Sequence, residues 1–280
     1  MENQEVTPSV VAAGEKSFEQ EMKQNPGLLQ KANVEINVKT LMEAGAHFGH
    51  QVDRWNPKMS PYIFTQKNGV HVLNLDSTMK LWEKAKKYIF DRAATGGSIL
   101  FVGTKLQSRE IIQEESTRCG SYYMTSRWLG GTLTNFDTIK KSIDHMKRLE
   151  ELLAKSQDES TGVKLNKKER LGISKEIEKL NATIGGIRTM KRLPDLIFVV
   201  DINKDDIAIK EAHRLHIPVI ALVDSNTDPT VVDFPIPSND DAPKVIRLFA
   251  AAIADAVIDG RALFDSRLGR QVHNNQGQNN

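Results

Sequence analysis

The chain has 280 residues, 39% of them apolar, a formal net charge of +2 and a single cysteine, Cys119. It has enough apolar residues for a core but no run long enough to cross a membrane, and one cysteine excludes an internal disulfide or a cysteine-based metal site. The low net charge excludes the strongly basic proteins that thread through RNA, so nucleic acid is expected to bind through local patches only.

Both ends of the chain are polar. Residues 1–33 are weakly patterned and interrupted by Pro8 and Pro26, so they are predicted to form a flexible arm. They lack the apolar core of a secretory signal and the arginine-rich composition of a transit peptide. With the lone cysteine, this predicts a protein of the reducing cytoplasm. Residues 265–280 are predicted to be a disordered tail.

Between the ends, apolar runs typical of strands alternate with amphipathic patterns typical of helices. The predicted strands are Val70–Leu75, Ser98–Val102, Tyr122–Met124, Leu196–Val200 and Pro218–Val223, with an edge segment at Phe234–Ile236. The predicted helices are Met79–Ala94 with a cap at Asp76–Thr78, one after Gly103–Thr104 reaching Thr117, Asp205–Leu215 and Asp240–Leu263. Short apolar strands between helices indicate a parallel sheet covered on both faces. We predict a three-layer α/β fold, Rossmann-like or flavodoxin-like, built from residues 34–134 and 188–264.

Two helical patterns interrupt this alternation. The first runs from Phe136 to Leu153 and the second from Ile173 to Ile187, with apolar residues at spacings of three and four. Two such faces bury each other, so residues 135–187 are predicted to be an inserted antiparallel coiled-coil hairpin, and the sheet is expected to fold without residues 139–184. The hairpin lysines form either a solvated face or phosphate ligands. For phosphate contact we single out Lys140, Lys141 and Lys147.

One segment, Arg127–Phe136 (RWLGGTLTNF), joins the first α/β half to the hairpin. Its two glycines remove the Cβ barrier to close approach. The guanidinium of Arg127 can donate two parallel hydrogen bonds to a phosphate, and the indole of Trp128 offers a face on which a base can stack. No catalytic triad, metal cluster or complete phosphate loop lies nearby in the sequence. Local chemistry therefore favours RNA as the ligand.

The segment RWLGGTLTNF resembles the signature of the bacterial small-subunit ribosomal protein S-two family. Three further stretches agree with that family in the expected order, namely Leu41–Tyr62, Leu193–Asp201 and Ile217–Asp241. The similarity runs from about Val34 to Phe264 and leaves only the two ends uncovered. The N-terminal arm is longer than the family usually carries.

The resemblance implies a structural constituent of the small ribosomal subunit without catalytic activity, a required cofactor or a small-molecule substrate. It implies binding to 16S rRNA, contacts with neighbouring small-subunit proteins and a place on the solvent side between head and body. It also implies a role in anchoring ribosomal protein S-one, which recruits mRNA. Composition and spacing alone show none of these properties.

Further cations are candidates for RNA phosphates. Arg188, Lys191 and Arg192 follow a glycine pair at the foot of the hairpin, where exposed cations cost little structurally. The glycines have an alternative role in allowing the chain to cross tightly. After a predicted strand, Lys105 and Arg109 lie near a helix N-terminus that can receive a phosphate, although the complete nucleotide-binding motifs are absent.

The Pro-limited loop Arg54–Lys58 (RWNPK) combines two cations with an indole. Arg54 and Lys58 are expected to contact RNA. Trp55 is equally suited to stacking on a base and to anchoring the loop as a small core residue. Both interpretations of Trp55 stay open.

Acidic residues end two predicted strands. Asp201 and Asp224 are expected to meet at the carboxyl edge of the sheet, with Asp228 close by. Such carboxylates bind a structural divalent cation, dock a partner, or cap turns. The H-x-x-H pair His47 and His50 lacks a third nearby ligand, which favours packed histidines over a metal site.

Two alternative functions compete with a ribosomal role. The first is an α/β enzyme that acts on a phosphorylated small molecule through Asp201, Asp224 and a histidine, but the sequence offers no nucleophile and no cofactor fingerprint. The second is a coiled-coil adaptor without RNA. That function leaves the cluster of Arg, Trp and Gly at the hairpin base unexplained.

Overall fold

The computed structural model describes residues 29–156 and 165–277, with side chains as far as residue 268. Most of the predicted arm and the turn of the predicted hairpin lie outside the described residues. The helices are α1 (Val38–Ala44), α2 (Leu75–Ala93), α3 (Arg109–Arg118), α4 (Phe136–Lys155), α5 (Lys167–Ile184), α6 (Asp206–Arg214) and α7 (Pro243–Gly277). The strands are β1 (Phe48–Gln51), β2 (Ile63–Lys67), β3 (Val70–Leu73), β4 (Ile99–Val102), β5 (Tyr122–Met124), β6 (Leu196–Val199), β7 (Val219–Val223) and β8 (Phe234–Pro237).

The central element is a five-stranded sheet in the order β5-β4-β6-β7-β8, with every neighbouring pair parallel. Alternate side chains of β4 point to opposite faces: Ile99 and Phe101 join a cluster with residues of α2, α3 and α7, whereas Leu100 and Val102 join a cluster with residues of α4 and α6. Both faces are therefore covered, which explains the wholly apolar strands. The predicted three-layer α/β fold is confirmed.

A second, smaller sheet was not predicted. Strands β1, β3 and β2 form an antiparallel sheet, so the predicted strand at Val70–Leu75 does not belong to the parallel sheet. Asn68 and Gly69 connect β2 to β3 with φ values of 53° and 75°. Asn-Gly is the strongest short hairpin signal, because these residues tolerate positive φ. That signal would have revealed the sheet.

Two predicted helix boundaries are wrong. Helix α2 starts at Leu75, because the side chain of Asn74 accepts a hydrogen bond from the backbone of Asp76 and caps the helix before the predicted cap. Helix α7 continues to Gly277 instead of ending near Leu263, and so includes most of the predicted disordered tail. No proline interrupts the chain there, and its polar residues include good helix formers.

The last residues of the predicted arm are held against the sheet domain. The backbone N–H of Leu29 donates to the carbonyl of Arg118 at 2.7 Å, and the N–H of Ala32 donates to Asp255 at 2.9 Å. Lys31 forms an ion pair with Asp259. The sheet domain therefore begins before residue 34, which corrects the predicted boundary.

Helices α4 and α5 pack against each other. His145 of α4 lies 3.0 Å from Glu176 of α5, and Arg170 donates to the carbonyl of Ser156 at 2.7 Å. The turn at residues 157–164 lies outside the described residues, so the coiled-coil hairpin and its limits stay a prediction. The first half of α4 is not an appendage, because Ile139, Ile143 and Met146 are buried in the core of the sheet domain.

Because these side chains belong to the core, the protein is expected to tolerate only a deletion shorter than residues 139–184. Removing residues 150–178 and joining the ends with a short Gly-Ser linker is expected to leave a cooperatively folding protein, because the buried positions of α4 remain. Removing residues 139–184 should abolish folding, since it takes core side chains away. Guanidinium unfolding followed by circular dichroism checks both variants. A sharp transition for the longer deletion would contradict the assignment of these side chains to the core.

Candidate functional site

The segment Arg127–Phe136 is organised by one buried carboxylate. Oε1 of Glu211 accepts hydrogen bonds from the indole of Trp128 at 3.0 Å and the backbone N–H of Gly131 at 2.7 Å. Oε2 accepts from the backbone N–H groups of Leu133 and Thr134, both at 2.9 Å, and from the Thr134 hydroxyl at 3.0 Å. Five donors thus converge on a side chain that is 7% exposed.

These donors set the electrostatics of Glu211. Burial alone would raise its pKa, but the hydrogen bonds outweigh burial and hold the pKa of this carboxyl below its ordinary value. The carboxylate is therefore charged at neutral pH and fixes the loop. Sequence reasoning missed Glu211, although an acid on the same helical face as the buried Ala208 and Ala212 is a signal of a buried polar contact.

Trp128 does not occupy the position expected of a stacking residue. Its side chain is buried in the core, 6% exposed, and its N–H is bound by Glu211. The indole therefore anchors the segment instead of presenting a face to RNA. Arg127, the residue before it, is exposed and has no ion pair or hydrogen bond among the described residues.

The foot cations, Arg188, Lys191 and Arg192, lie on the surface beside the tight crossing of the chain. Arg188 forms a 3.0 Å ion pair with Glu150, and Arg192 forms one with Asp195 at the same distance. Such exposed pairs contribute little, so both guanidinium groups can exchange their partners for phosphate. Lys191 is exposed and has no partner among the described residues.

Close packing brings the hairpin foot to β5. A Cβ at Gly186 would lie 2.2 Å from the carbonyl oxygen of Tyr123, so only glycine fits there. The hydroxyl of Ser126 donates to the carbonyl of Ala182 at 2.5 Å, which places Arg127 next to the end of α5. These contacts bring together the chain segments that carry Arg127 and the foot cations, and we call these four cations the basic surface.

The cations predicted on α4 differ in availability. Lys141 and Lys147 are exposed and have no partners among the described residues. Lys140 lies 4.8 Å from the ring centroid of Phe136 and 3.7 Å from Asp137. These contacts leave the ammonium of Lys140 partly exposed. All three cations lie on α4, the helix whose Glu150 pairs with Arg188, and we include them in the basic surface.

The loop Arg54–Lys58 packs against the antiparallel sheet through Trp55. Arg54 is exposed and without a partner among the described residues. Trp55 is 37% exposed and packs on His71, with ring centroids 5.2 Å apart. Lys58 donates to Asp228 at 2.6 Å. The loop thus presents two cations and a half-covered indole.

The carboxyl edge of the parallel sheet carries a buried charge cluster. Nζ of Lys105 lies 3.2 Å from Asp201, 2.9 Å from Asp240 and 2.6 Å from Asp241, and the Lys105 side chain is 13% exposed. Burial lowers the pKa of Lys105, but these carboxylates outweigh burial and raise it overall. Lys105 therefore neutralises acids and does not face solvent, unlike Arg109, which is exposed and bonded to the Thr104 carbonyl at 3.1 Å.

Asp240 carries the strongest perturbation of this cluster. Burial, followed by the charges of Asp201 and Asp224, raises the pKa of Asp240 to about 7, and Lys105 opposes the rise. Lys105 contacts Asp201 and Asp241, and His50 contacts Asp224 and Asp241, so Asp201 and Asp224 share the sheet edge, as the topology predicted. They do so as part of a lysine-centred cluster.

The metal candidates are arranged differently from the prediction. Asp228 bonds to Lys58 on the surface, whereas Asp224 lies 3.0 Å from Nδ1 of His50. That hydrogen bond raises the pKa of His50, whereas burial lowers the pKa of His47. Within residues 29–156 and 165–268, no group of three or more His, Cys, Asp or Glu side chains is arranged to hold a metal ion.

No helix in the described ranges combines the length and the apolar composition needed to span a lipid bilayer.

Known proteins are similar in sequence to this chain over most of its length. The family model described as ribosomal protein S2 matches residues 41–260. The small ribosomal subunit protein uS2 of Nitratidesulfovibrio vulgaris (strain DSM 19637 / Miyazaki F) is 48% identical over 237 residues, which cover 85% of this chain and 86% of that protein. The protein of the same name from Lawsonia intracellularis (strain PHE/MN1-00) is 50% identical over 228 residues, 81% of this chain and 77% of that protein. The chain belongs to the ribosomal protein S2 family.

Proposed function

We propose that this chain binds 16S rRNA in the small ribosomal subunit through the basic surface at the base of α4 and α5, and helps to anchor ribosomal protein S-one. Family membership makes it a structural ribosomal protein of the cytoplasm and not an enzyme, so the alternative of an enzyme for phosphorylated small molecules is rejected. Its partners are therefore components of the small subunit.

The observation that carries the RNA proposal is the position of the exposed cations. Arg127, the foot cations and the lysines of α4 are carried by segments that meet where α5 reaches β5, and their ion-pair partners among the described residues are surface carboxylates. Exposed arginine and lysine contribute affinity by neutralising phosphates and releasing counterions. A local basic surface also accounts for RNA binding by a chain whose net charge is only +2.

Phosphate contacts position a protein on RNA without reading its sequence. Arg188 and Arg192 suit this role because a guanidinium forms two parallel hydrogen bonds with a phosphate. The buried contacts of Glu211 hold the segment after Arg127 in a fixed conformation, so this arginine is presented at low entropic cost. In this proposal, Lys105 and Trp128 support the fold and do not contact RNA.

Replacing Arg188, Lys191 and Arg192 together by Ala is expected to weaken binding to a 16S rRNA transcript and to lower the slope of log affinity against log salt by about 2 to 3. The free energy of unfolding should change little, because these pairs are exposed. A salt titration of binding measures the slope, and reconstituted subunits report occupancy. Their content of ribosomal protein S-one tests the anchoring role.

The matched control replaces three exposed lysines of α2, Lys80, Lys84 and Lys87, by Ala. The same number of charges is lost, but α2 covers the opposite face of the sheet. This variant should keep the wild-type slope. Equal losses in both variants would indicate nonspecific attraction and reject the basic surface as the binding site.

A further inference from the structure

A cavity of about 360 Å³ lies beside the antiparallel sheet, and the contacts described so far do not use it. Trp55, Ser60, Thr65, Gln66 and His71 are among the residues that line it. The volume is within the range of small-ligand sites. The polar side chains of this lining can orient a ligand that has its own donors and acceptors.

His71 is the unusual member of this lining. It is 5% exposed, and neither ring nitrogen has a hydrogen-bond partner among the described residues. An imidazole always carries at least one N–H donor, and buried polar groups are normally paired. The unpaired ring borders the cavity. This arrangement indicates that the missing partner comes from outside the chain.

Trp55 gives the cavity an aromatic wall. Its ring packs on His71 with an interplanar angle of 37°, and part of the indole stays open to solvent. Gln66 is directly opposite His71 across the β2–β3 pair, and its exposed amide offers both donors and an acceptor. A flat ligand with a polar edge would therefore meet an indole face and two hydrogen-bonding side chains.

Two cations are close in the chain to Trp55, which forms part of the cavity lining. Arg54 and Lys58 lie on either side of Trp55 in the chain and both are exposed; Lys58 would exchange its surface pair with Asp228 for a phosphate. Phosphates that flank a bound base would find these charges, whereas an aromatic side chain from a protein would leave them unused. An apolar ring such as that of phenylalanine would also leave His71 unpaired. A planar heterocycle on a phosphodiester backbone fits these features together.

We propose that this cavity, the base pocket, binds one unpaired nucleobase of RNA. The base stacks on Trp55 and turns its polar edge toward His71 and Gln66, while Arg54 and Lys58 bind the adjoining phosphates. The inference rests on the proposed binding of 16S rRNA and adds a base contact made by residues outside the basic surface. Unpaired bases are recognised in this way because their hydrogen-bonding edges are free.

The test measures base reactivity and affinity together. Dimethyl sulfate, kethoxal and a water-soluble carbodiimide together modify the pairing edges of all four unpaired bases in a 16S rRNA transcript, with and without the protein. The wild-type protein is expected to protect a specific unpaired base. Trp55→Leu and Gln66→Ala are expected to abolish that protection. Trp55→Leu should also weaken binding about tenfold through lost stacking. Neither variant should change the salt slope, since no cation is removed.

Trp55→Leu and Gln66→Ala change exposed side chains, so the fold should survive. His71→Phe is a third variant, which should also lose the protection when its circular dichroism shows a native fold. Phe64→Ala, on β2 but not in the cavity lining, is the control and should retain both protection and affinity. Wild-type binding without protection that depends on Trp55 would overturn the base pocket alone. Absence of salt-dependent binding by the wild-type protein would overturn the RNA proposal as well.

Discussion

Replacing Glu211 by Gln should lower the free energy of unfolding by about 2 to 4 kcal/mol, because the five donors around this carboxylate would face an amide that cannot accept from all of them. Its NH₂ group would meet backbone N–H groups that have no other partner. Urea unfolding at pH 7 measures the change.

The pH dependence gives this prediction a second readout. The folded-state pKa of Glu211 is depressed, so its contribution to stability is fully present above the unfolded pKa of about 4.3 and is lost as the pH falls through the lower folded pKa. The difference between wild type and Glu211→Gln should therefore be constant from pH 7 to about 5 and shrink in acid.

The matched control is Asp206→Asn on the same helix. Asp206 is partly exposed and its ion-pair partner is Lys210, so this variant should lose at most about 1 kcal/mol. A similar loss in the two variants would mean that the carboxylate does not organise the segment. A free energy of unfolding equal to that of the wild type for Glu211→Gln would also show that the carboxylate does not organise the segment.

Replacing Lys105 by Met should lower the free energy of unfolding by about 3 to 5 kcal/mol at pH 8, because it leaves Asp201, Asp240 and Asp241 without their shared cation. The salt slope of RNA binding by the folded variant should stay at the wild-type value, since the ammonium is buried. A reduced slope would instead restore Lys105 as a phosphate ligand.

The destabilisation should grow with pH. Asp240 has a folded-state pKa of about 7, above its unfolded value, so the folded state binds an extra proton between about pH 4 and 7, and wild-type stability falls as pH rises across that window. Lys105 opposes the raised pKa, so removing it extends the loss to higher pH. The difference in the free energy of unfolding between wild type and Lys105→Met should be smaller at pH 5 than at pH 8.

A second substitution tests the cause. Asp240→Asn in the Lys105→Met background should recover part of the loss, because one uncompensated buried charge disappears. Asp265→Asn in the same background is the control, since Asp265 lies on the exposed end of α7 and should recover nothing. Equal behaviour of the two double variants would contradict a lysine-centred cluster.

The parallel sheet could be predicted because each of its strands carries its signal within a few residues. An apolar run such as Leu196–Val199 reads as a buried strand whatever packs on it. The topology also predicted correctly that the acids after β6 and β7 meet at one edge. These inferences needed no knowledge of side-chain partners.

Partners distant in sequence could not be predicted. Glu211 is 77 to 83 positions from the groups that it binds, and Lys105 reaches Asp240 across 135 positions. A cation after a strand suits a phosphate and a carboxylate equally well, and only the fold decides between them. For the same reason Trp128 resembled a stacking residue in the sequence, whereas the fold buries it against Glu211.

The strand order has a consequence for synthesis. Strand β4 pairs with β6, yet residues 103–195 lie between them, including both helices of the predicted hairpin. During translation, one edge of β4 therefore stays unpaired until β6 has been synthesised, although β5 can pair with the other edge early. An apolar strand with an open edge is prone to aggregate, and such long-range pairing folds slowly. Chaperone dependence should accordingly be greatest for nascent chains that end between β5 and β6.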